Sequence, residues 1–297
     1  MPHVRSYYAA SAHDAPAHPA VEGDASFDVC VVGAGIAGCA AALELAERGY
    51  RVALVEAEHV GWGASGRSGG QAIFGFGASM ASIVGHVGQE AACRMWDVSV
   101  AALDWVRERV ARHAIDCDLH WGQVHVATKP RQRDELLDWQ RELAELYGYT
   151  SPRFLERADV EALIDTTRYY AGLYDPRSGH LHPLNYTLGL ARAAAAAGVS
   201  VFEGSPVTRI ERGEPLRLVT PRGTITARYA VLTRGGYVAG LHVPTDWRVM
   251  PVGTYVVATE PLGAERITQL VRDNVAVADI NFVLDYFRRS ADHRLLF

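Results

Sequence analysis

The chain has 297 residues, 49% hydrophobic content and a formal net charge of −5, enough apolar material for a large core and for two domains rather than one. The acidic excess forms no block and nearly all the positive charge is arginine, Lys129 being the only lysine, so nothing marks a nucleic-acid surface. The first residues carry Arg5, His13, Asp14 and His18, and the apolar run from Val29 to Leu45 is broken by Gly33, Gly35, Gly38 and Glu44, so neither a secretory signal nor a membrane span is expected.

Cys30, Cys39, Cys93 and Cys117 show no CxxC spacing, and the first two sit as small core residues in an apolar βα unit. A reducing compartment, the cytoplasm, is the expected setting.

Residues 1–26 are rich in Ala, His and Pro with little periodicity and read as an arm that packs over the body or stays mobile. The run Asp28-Val29-Cys30-Val31-Val32-Gly33-Ala34-Gly35-Ile36-Ala37-Gly38 then takes an apolar strand into a glycine turn. Gly33 suits the tight turn, Gly35 lets backbone approach a pyrophosphate, and Gly38 lets the following helix pack close to the strand. That helix runs to Arg48, Gly49 ends it, and Arg51 to Val55 reads as a second strand closed by Glu56. Glu56 falls close to the spacing of about 20 residues at which an acid receives the ribose hydroxyls of a dinucleotide, and its charge disfavours a 2′-phosphate.

Glycines crowd from Gly61 to Gly77, as in a ligand loop. Glu90 to Ala111 has apolar residues at helical spacing, His120 to Ala127 alternates as a strand, Arg131 to Tyr147 returns to helix, and Ala158 to Ile164 is a short one. Ala171 to His182 is extended, Pro183 starts a helix ending at Gly198, and Val199 to Glu203 is a further parallel strand of the nucleotide unit. Val207 to Glu211, Leu216 to Thr220, Thr224 to Ala227 and Tyr229 to Thr233 are strands. From about Asp246 the chain is strand-rich, with Met250 to Thr259, Val275 to Ala278, Phe282 to Arg288 and Arg294 to Phe297. It stops on Leu295-Leu296-Phe297 without a turn or polar tail, which reads as a truncated product or fragment.

His180 and His182 have no acid or thiol at ligand spacing beyond Asp175, so no metal is expected. Trp121, Trp139 and Trp247 read as packing residues, with Trp247 at the opening of the strand-rich part.

Ala64-Ser65-Gly66-Arg67-Ser68-Gly69-Gly70-Gln71 resembles the glycine loop of FAD-dependent amine oxidoreductases of the D-amino acid oxidase superfamily. Ser6 to Ser11, Gly179 to Pro183, Thr259 to Leu262 and Asp285 to Arg289 extend the resemblance over essentially the whole chain, closest to the branch acting on gamma-glutamylputrescine. Two positions depart from the family pattern: Ser68 stands in place of Asn, and Arg234 in place of a small residue near the cofactor.

The resemblance implies an α/β fold, α+β overall, with a Rossmann-like FAD-binding domain in 27–118 and 151–245. A discontinuous strand-rich substrate domain would occupy 119–150 and 246–297, incomplete at its C-terminal end. FAD would lie with its ADP half on Gly33, Gly35, Gly38 and Glu56, its pyrophosphate also reached by Ala64, Ser65 and Arg67, and its ring approached by Gly69, Gly70 and Gln71. Val207 would set its backbone against the adenine. Gln71, Tyr286 and Arg288 are the substrate-pocket candidates, the last two at i and i+2 on one strand face, with Arg288 available to a carboxylate. The expected chemistry is hydride removal from an amine C–N bond, with oxygen as electron acceptor. The alternatives are a glycine, sarcosine or D-amino acid oxidoreductase, an NAD-dependent dehydrogenase, for which the Ala64 to Gln71 loop has no role, or a truncated non-catalytic fragment.

Overall fold

The computed structural model describes residues 2–237, 240–241 and 243–297. In chain order come α1 (Tyr7–Ala10), β1 (Gly23–Val32), α2 (Ile36–Glu47), β2 (Val52–Val55), β3 (Gln71–Ala72), α3 (Met80–Val87), α4 (Gln89–Arg112) and β4 (His120–Ala127). Then follow α5 (Pro130–Tyr147), β5 (Arg153–Glu156), α6 (Arg157–Leu163), β6 (Ala171–His180), α7 (Pro183–Ala196), β7 (Ser200–Phe202), β8 (Arg209–Glu211) and β9 (Leu216–Thr220). The chain closes with β10 (Gly223–Leu232), α8 (Val243–Asp246), α9 (Ala264–Leu270), β11 (Ala276–Asp279), β12 (Tyr286–Arg289) and β13 (Leu295–Leu296).

Two compact units divide these elements. The first takes residues up to Ser68, Ile115–Cys117 and Pro183–Tyr255. Its sheet has the order β7-β2-β1-β10-β9-β8, with β7, β2, β1 and β10 parallel and β9 and β8 antiparallel at one edge. The run at Val199 to Glu203 therefore does enter this sheet as a parallel strand. The runs expected as separate strands at 224–227 and 229–233 form one strand, β10, because β1 is itself ten residues long from Gly23 and offers a parallel partner along that length. Cys30, Val32, Ala53, Val55, Leu218 and Ile225 form its core. Fully buried Leu218 and Ile225 each contribute about 1.5–3 kcal/mol.

Helices α2 and α7 pack together in this unit, and both present small residues to their neighbours. A Cβ on Gly189 of α7 would lie 2.2 Å from Ile115 Cγ2, a contact that draws 115–117 into the unit. The arm is attached: Ser6 caps α1, Tyr8 is buried, and the Val21 N–H donates to Ser205 Oγ at 2.9 Å.

The second unit takes Gly69–Ala114, Asp118–His182 and Val256–Phe297. Its sheet runs β13-β12-β11-β4-β6-β3, with β5 also paired to β6. Here the packing departs from the expected boundaries. Segment 151–182 was expected with the nucleotide unit, but β6 pairs antiparallel with β4 from His120↔His180 to Ala127↔Ala171 and so joins the second sheet. Helix α4 goes the same way, since Trp96 and Leu103 pack against Leu136 and Leu143 of α5 and Leu173 of β6. Conversely, 246–255 belongs to the first unit, and no strand forms over Met250 to Thr259 beyond a bridge at Ala258↔Leu296. Met250 and Tyr255 are 82% and 89% exposed; the run has strand-forming residues but no neighbouring strand over most of its length.

Helix α5 shows how local chemistry sets a boundary. Pro130 opens its first turn, Oε1 of the Gln132 side chain accepts the Thr128 and Lys129 N–H groups, and Gly148 ends it in the left-handed region at φ 61°. No disulfide joins any of the four cysteines, and burial pushes the Cys30 thiol up to about 12. Among the described residues no helix is long and apolar enough to cross a membrane.

Candidate functional site

The glycine turn joins β1 to α2 in the first unit. Gly33 sits at φ 104°, and its N–H donates to the Val55 carbonyl at 2.8 Å. A Cβ on Gly38 would lie 1.8 Å from the Gly33 carbonyl oxygen and 2.6 Å from Thr233 Oγ1, so any side chain there would force α2 off the strand. A Cβ on Gly35 would come within 2.6 Å of Ser65 Oγ.

Glu56 ends β2 and turns back on this loop. One carboxylate oxygen accepts the Ala34 N–H at 2.7 Å and the other the Glu58 N–H at 3.0 Å. Its carboxylate retains lone pairs for further donors. Thr233, just after β10, closes the other side: its hydroxyl lies 3.0 Å from the Val32 carbonyl and 2.9 Å from that of Gly33. Nothing in the sequence pattern singles out Thr233; its position follows from the parallel pairing of β10 with β1.

A cavity of about 400 Å³ opens at this turn, lined by Gly33, Gly35, Glu56, Ala64, Ser65, Val207 and Arg234. Val207 is 7% exposed, both a wall of the cavity and a member of the core. The residues expected at the pyrophosphate are arranged differently from expectation. Ser65 Oγ accepts the Ile36 N–H at 3.0 Å and so caps the start of α2. Arg67 does not line the cavity: Nε and Nη2 donate to the Trp62 carbonyl at 2.9 and 2.5 Å, and the guanidinium lies 4.5 Å from the Trp62 ring centre. A planar cation five residues from an aromatic residue and its free carbonyl finds both at once.

The cation in the cavity wall is Arg234. It pairs with Asp246, the two side chains being 10% and 13% exposed, and its Nη1 is buried without a hydrogen-bond partner. The sequence marks Arg234 only as a departure from the family pattern.

Gly69, Gly70 and Gln71 belong to the second unit, where they meet Tyr286, Arg288 and His180. A Cβ on Gly69 would lie 2.3 Å from the Tyr286 ring, so this glycine's exposed face is covered by that ring. The Gly70 carbonyl accepts the Leu181 N–H at 2.8 Å, and the Gln71 amide lies 3.4 Å from the Val277 carbonyl. Arg288 was expected to receive a carboxylate, yet it is 2% exposed. Its Nε donates to the Gly69 carbonyl at 2.8 Å and its Nη1 to the Arg289 carbonyl at 3.1 Å. His180 Nε2 donates to the Asn274 carbonyl at 2.8 Å, leaving Nδ1 toward Arg288 at 3.5 Å. Burial and then the Arg288 charge push the His180 pKa down to about 3, so the ring is neutral. Among the described residues no group of three or more His, Cys, Asp or Glu could hold a metal ion.

The first unit tests well against a dinucleotide: the turn leaves room only for hydrogen at Gly35 and Gly38, a helix begins at the turn, and an acid stands at the end of the second strand.

Comparison with known proteins agrees. Residues 28–297 match the family described as FAD dependent oxidoreductase (DAO). The chain is 37% identical over 300 aligned positions to the probable oxidoreductase OrdL of Haemophilus influenzae, covering 99% of this chain and 70% of that protein. It is 36% identical over 296 positions to the gamma-glutamylputrescine oxidoreductase of Escherichia coli, covering 99% and 69%. Among solved structures, glycine oxidase from Geobacillus kaustophilus superposes with a TM-score of 0.68 at 25% identity, over 91% of this chain and 70% of that one.

Proposed function

The chain belongs to the FAD dependent oxidoreductase family, and from that membership we propose that it oxidises gamma-glutamylputrescine at its amine. The class of reaction is FAD-dependent oxidation of an amine or amino acid by hydride transfer to the flavin. The choice of substrate is carried by the 36% identity to gamma-glutamylputrescine oxidoreductase over 99% of the chain.

Bound FAD supplies the two-electron acceptor for a hydride from the amine carbon. The chain's own residues hold it. Gly33 and Gly35 leave the space for the pyrophosphate at the start of α2, with Ala64 and Ser65 beside it, and Gly38 lets α2 pack close to the strand. Glu56 accepts ribose hydroxyls with the lone pairs that the Ala34 and Glu58 N–H groups leave, and its charge excludes a 2′-phosphate. Val207 presents backbone to the adenine. Arg234 supplies the cation that Arg67, held on Trp62, does not.

The first unit is thus the cofactor unit and the strand-rich second unit the amine unit. In the latter, Gln71 and Tyr286 serve the amine, Gly69 and Gly70 give the loop its close approach, and Arg288 is a positioning residue that fixes the Gly69 carbonyl. The amine reacts as the neutral base. Hydride loss from its carbon gives an imine, which water converts to an aldehyde and ammonia. Oxygen would be the final electron acceptor, with the cytoplasm as the setting.

A second substrate reading is a small amino acid, supported by the likeness to glycine oxidase at 25–27% identity. Peroxide production across a panel of gamma-glutamylputrescine, glycine, sarcosine and D-amino acids separates the two. Turnover confined to the amino acids would overturn the gamma-glutamylputrescine reading.

A further inference from the structure

The second unit contains a cavity of about 350 Å³ lined by none of the residues placed at the cofactor or the amine. Phe74, Trp96, Trp139 and Tyr147 surround it, together with His125 of β4 and Glu142 of α5. The rings form a continuous wall. Phe74 lies 5.3 Å from Trp96 and 5.8 Å from Trp139 between ring centres, and Trp96 stacks on Tyr147 at 4.9 Å.

Two polar groups in this wall, Glu142 and His125, are half-buried and have no protein hydrogen-bond or ion-pair partner among the described residues. His125 meets Trp139 edge-on at 5.0 Å. Burial pushes its pKa down to about 4, so near neutral pH the ring keeps a lone pair to offer. No lysine or arginine lines the cavity. Behind it, the buried Asp175 carboxylate accepts hydrogen bonds from Tyr149, Ser151 and the Arg177 and Ser178 N–H groups.

The one charged group that faces this space is thus a carboxylate, set among aromatic faces, aliphatic side chains, the Ser79 hydroxyl and a neutral imidazole. A carboxylic acid would meet Glu142 with like charge. A purely apolar guest would leave Glu142 and His125 unpaired. A primary ammonium has three N–H donors and a positive charge, and its alkyl part packs on rings; the volume is at the small end of ligand cavities.

We infer that the cavity bounded by Phe74, Trp96, His125, Trp139, Glu142 and Tyr147 is a binding site for a small primary alkylammonium ion. This site stands on the second unit alone and does not depend on which amine the flavin oxidises.

The test uses the flavin-loaded protein and tert-butylammonium chloride, which has no hydrogen on the carbon bearing nitrogen and so cannot be oxidised to an imine. Calorimetric titration is expected to give saturable binding, with tert-butanol binding about tenfold or more weakly. Glu142→Gln is expected to weaken tert-butylammonium binding about tenfold while leaving the flavin absorption spectrum unchanged. Glu142 is partly exposed on α5, so this substitution leaves the packed core intact. Absence of saturable binding, equal binding of the alcohol, or unaltered binding in Glu142→Gln would overturn the inference.

Discussion

Oε2 of Glu56 accepts the Ala34 N–H at 2.7 Å, so the acid at the end of β2 fastens the glycine turn at the end of β1. On the proposed function, one residue would then both receive the ribose and shape the glycine turn. Glu56→Gln keeps one acceptor oxygen but loses the charge and one of the two backbone bonds. The expected result is FAD affinity reduced about ten- to a hundredfold, the worth of a charge-assisted hydrogen bond, read by flavin fluorescence during titration of the apoprotein. An unchanged affinity would remove Glu56 from the cofactor site.

Gly38→Ala places a methyl group 1.8 Å from the Gly33 carbonyl oxygen, which is backbone and has no room to yield. The variant is expected to lose FAD on gel filtration and to unfold at lower temperature than the parent. Gly49→Ala is the control for backbone strain alone, since Gly49 has a positive φ but nothing within 4 Å of its added Cβ.

Arg234 and Asp246 separate charge from structure. Arg234→Ala removes the cation of the cavity wall and leaves Asp246 buried alone, so both flavin affinity and stability are expected to fall. Asp246→Asn keeps the cation. Flavin retention, read as the ratio of flavin to protein absorbance, should fall further in Arg234→Ala than in Asp246→Asn.

The turn from Gly33 to Glu56 was legible in the sequence because strand, glycine spacing, helix and terminal acid all lie within one short stretch and constrain one another. The sheet that receives Ala171–His180 was not. An extended run states that it will pair but not with which neighbour, and only the register with His120–Ala127 decides it. Arg67 shows the same limit at a side chain: its type suits phosphate, but the Trp62 carbonyl captures it. Trp139 reads as a packing residue, and it packs against the core that holds Phe74 and Trp96. That they also wall a cavity with His125 depends on helices α4 and α5 meeting one sheet face, which no local pattern records.

Acid should weaken the fold through two histidines. His180 and His125 have pKa values lowered to about 3 and about 4 in the fold, against about 6.5 in the unfolded chain. Below pH 6.5 the unfolded chain binds protons that the folded one refuses, so stability is full above that pH and falls toward pH 4. The slope is on the order of 1 kcal/mol per pH unit for each histidine. Thermal unfolding between neutral pH and about pH 4.5 should show the fall, and His125→Phe should flatten it; an identical slope in the variant would contradict the assignment.

The most direct test of the central claim is the absorption spectrum of the purified protein, recorded anaerobically before and after gamma-glutamylputrescine is added. The protein should be yellow, with the bands of oxidised FAD, and the long-wavelength band should bleach on mixing and return with oxygen. A protein that binds FAD but whose flavin remains oxidised with this amine and with every amino acid of the panel would contradict the account.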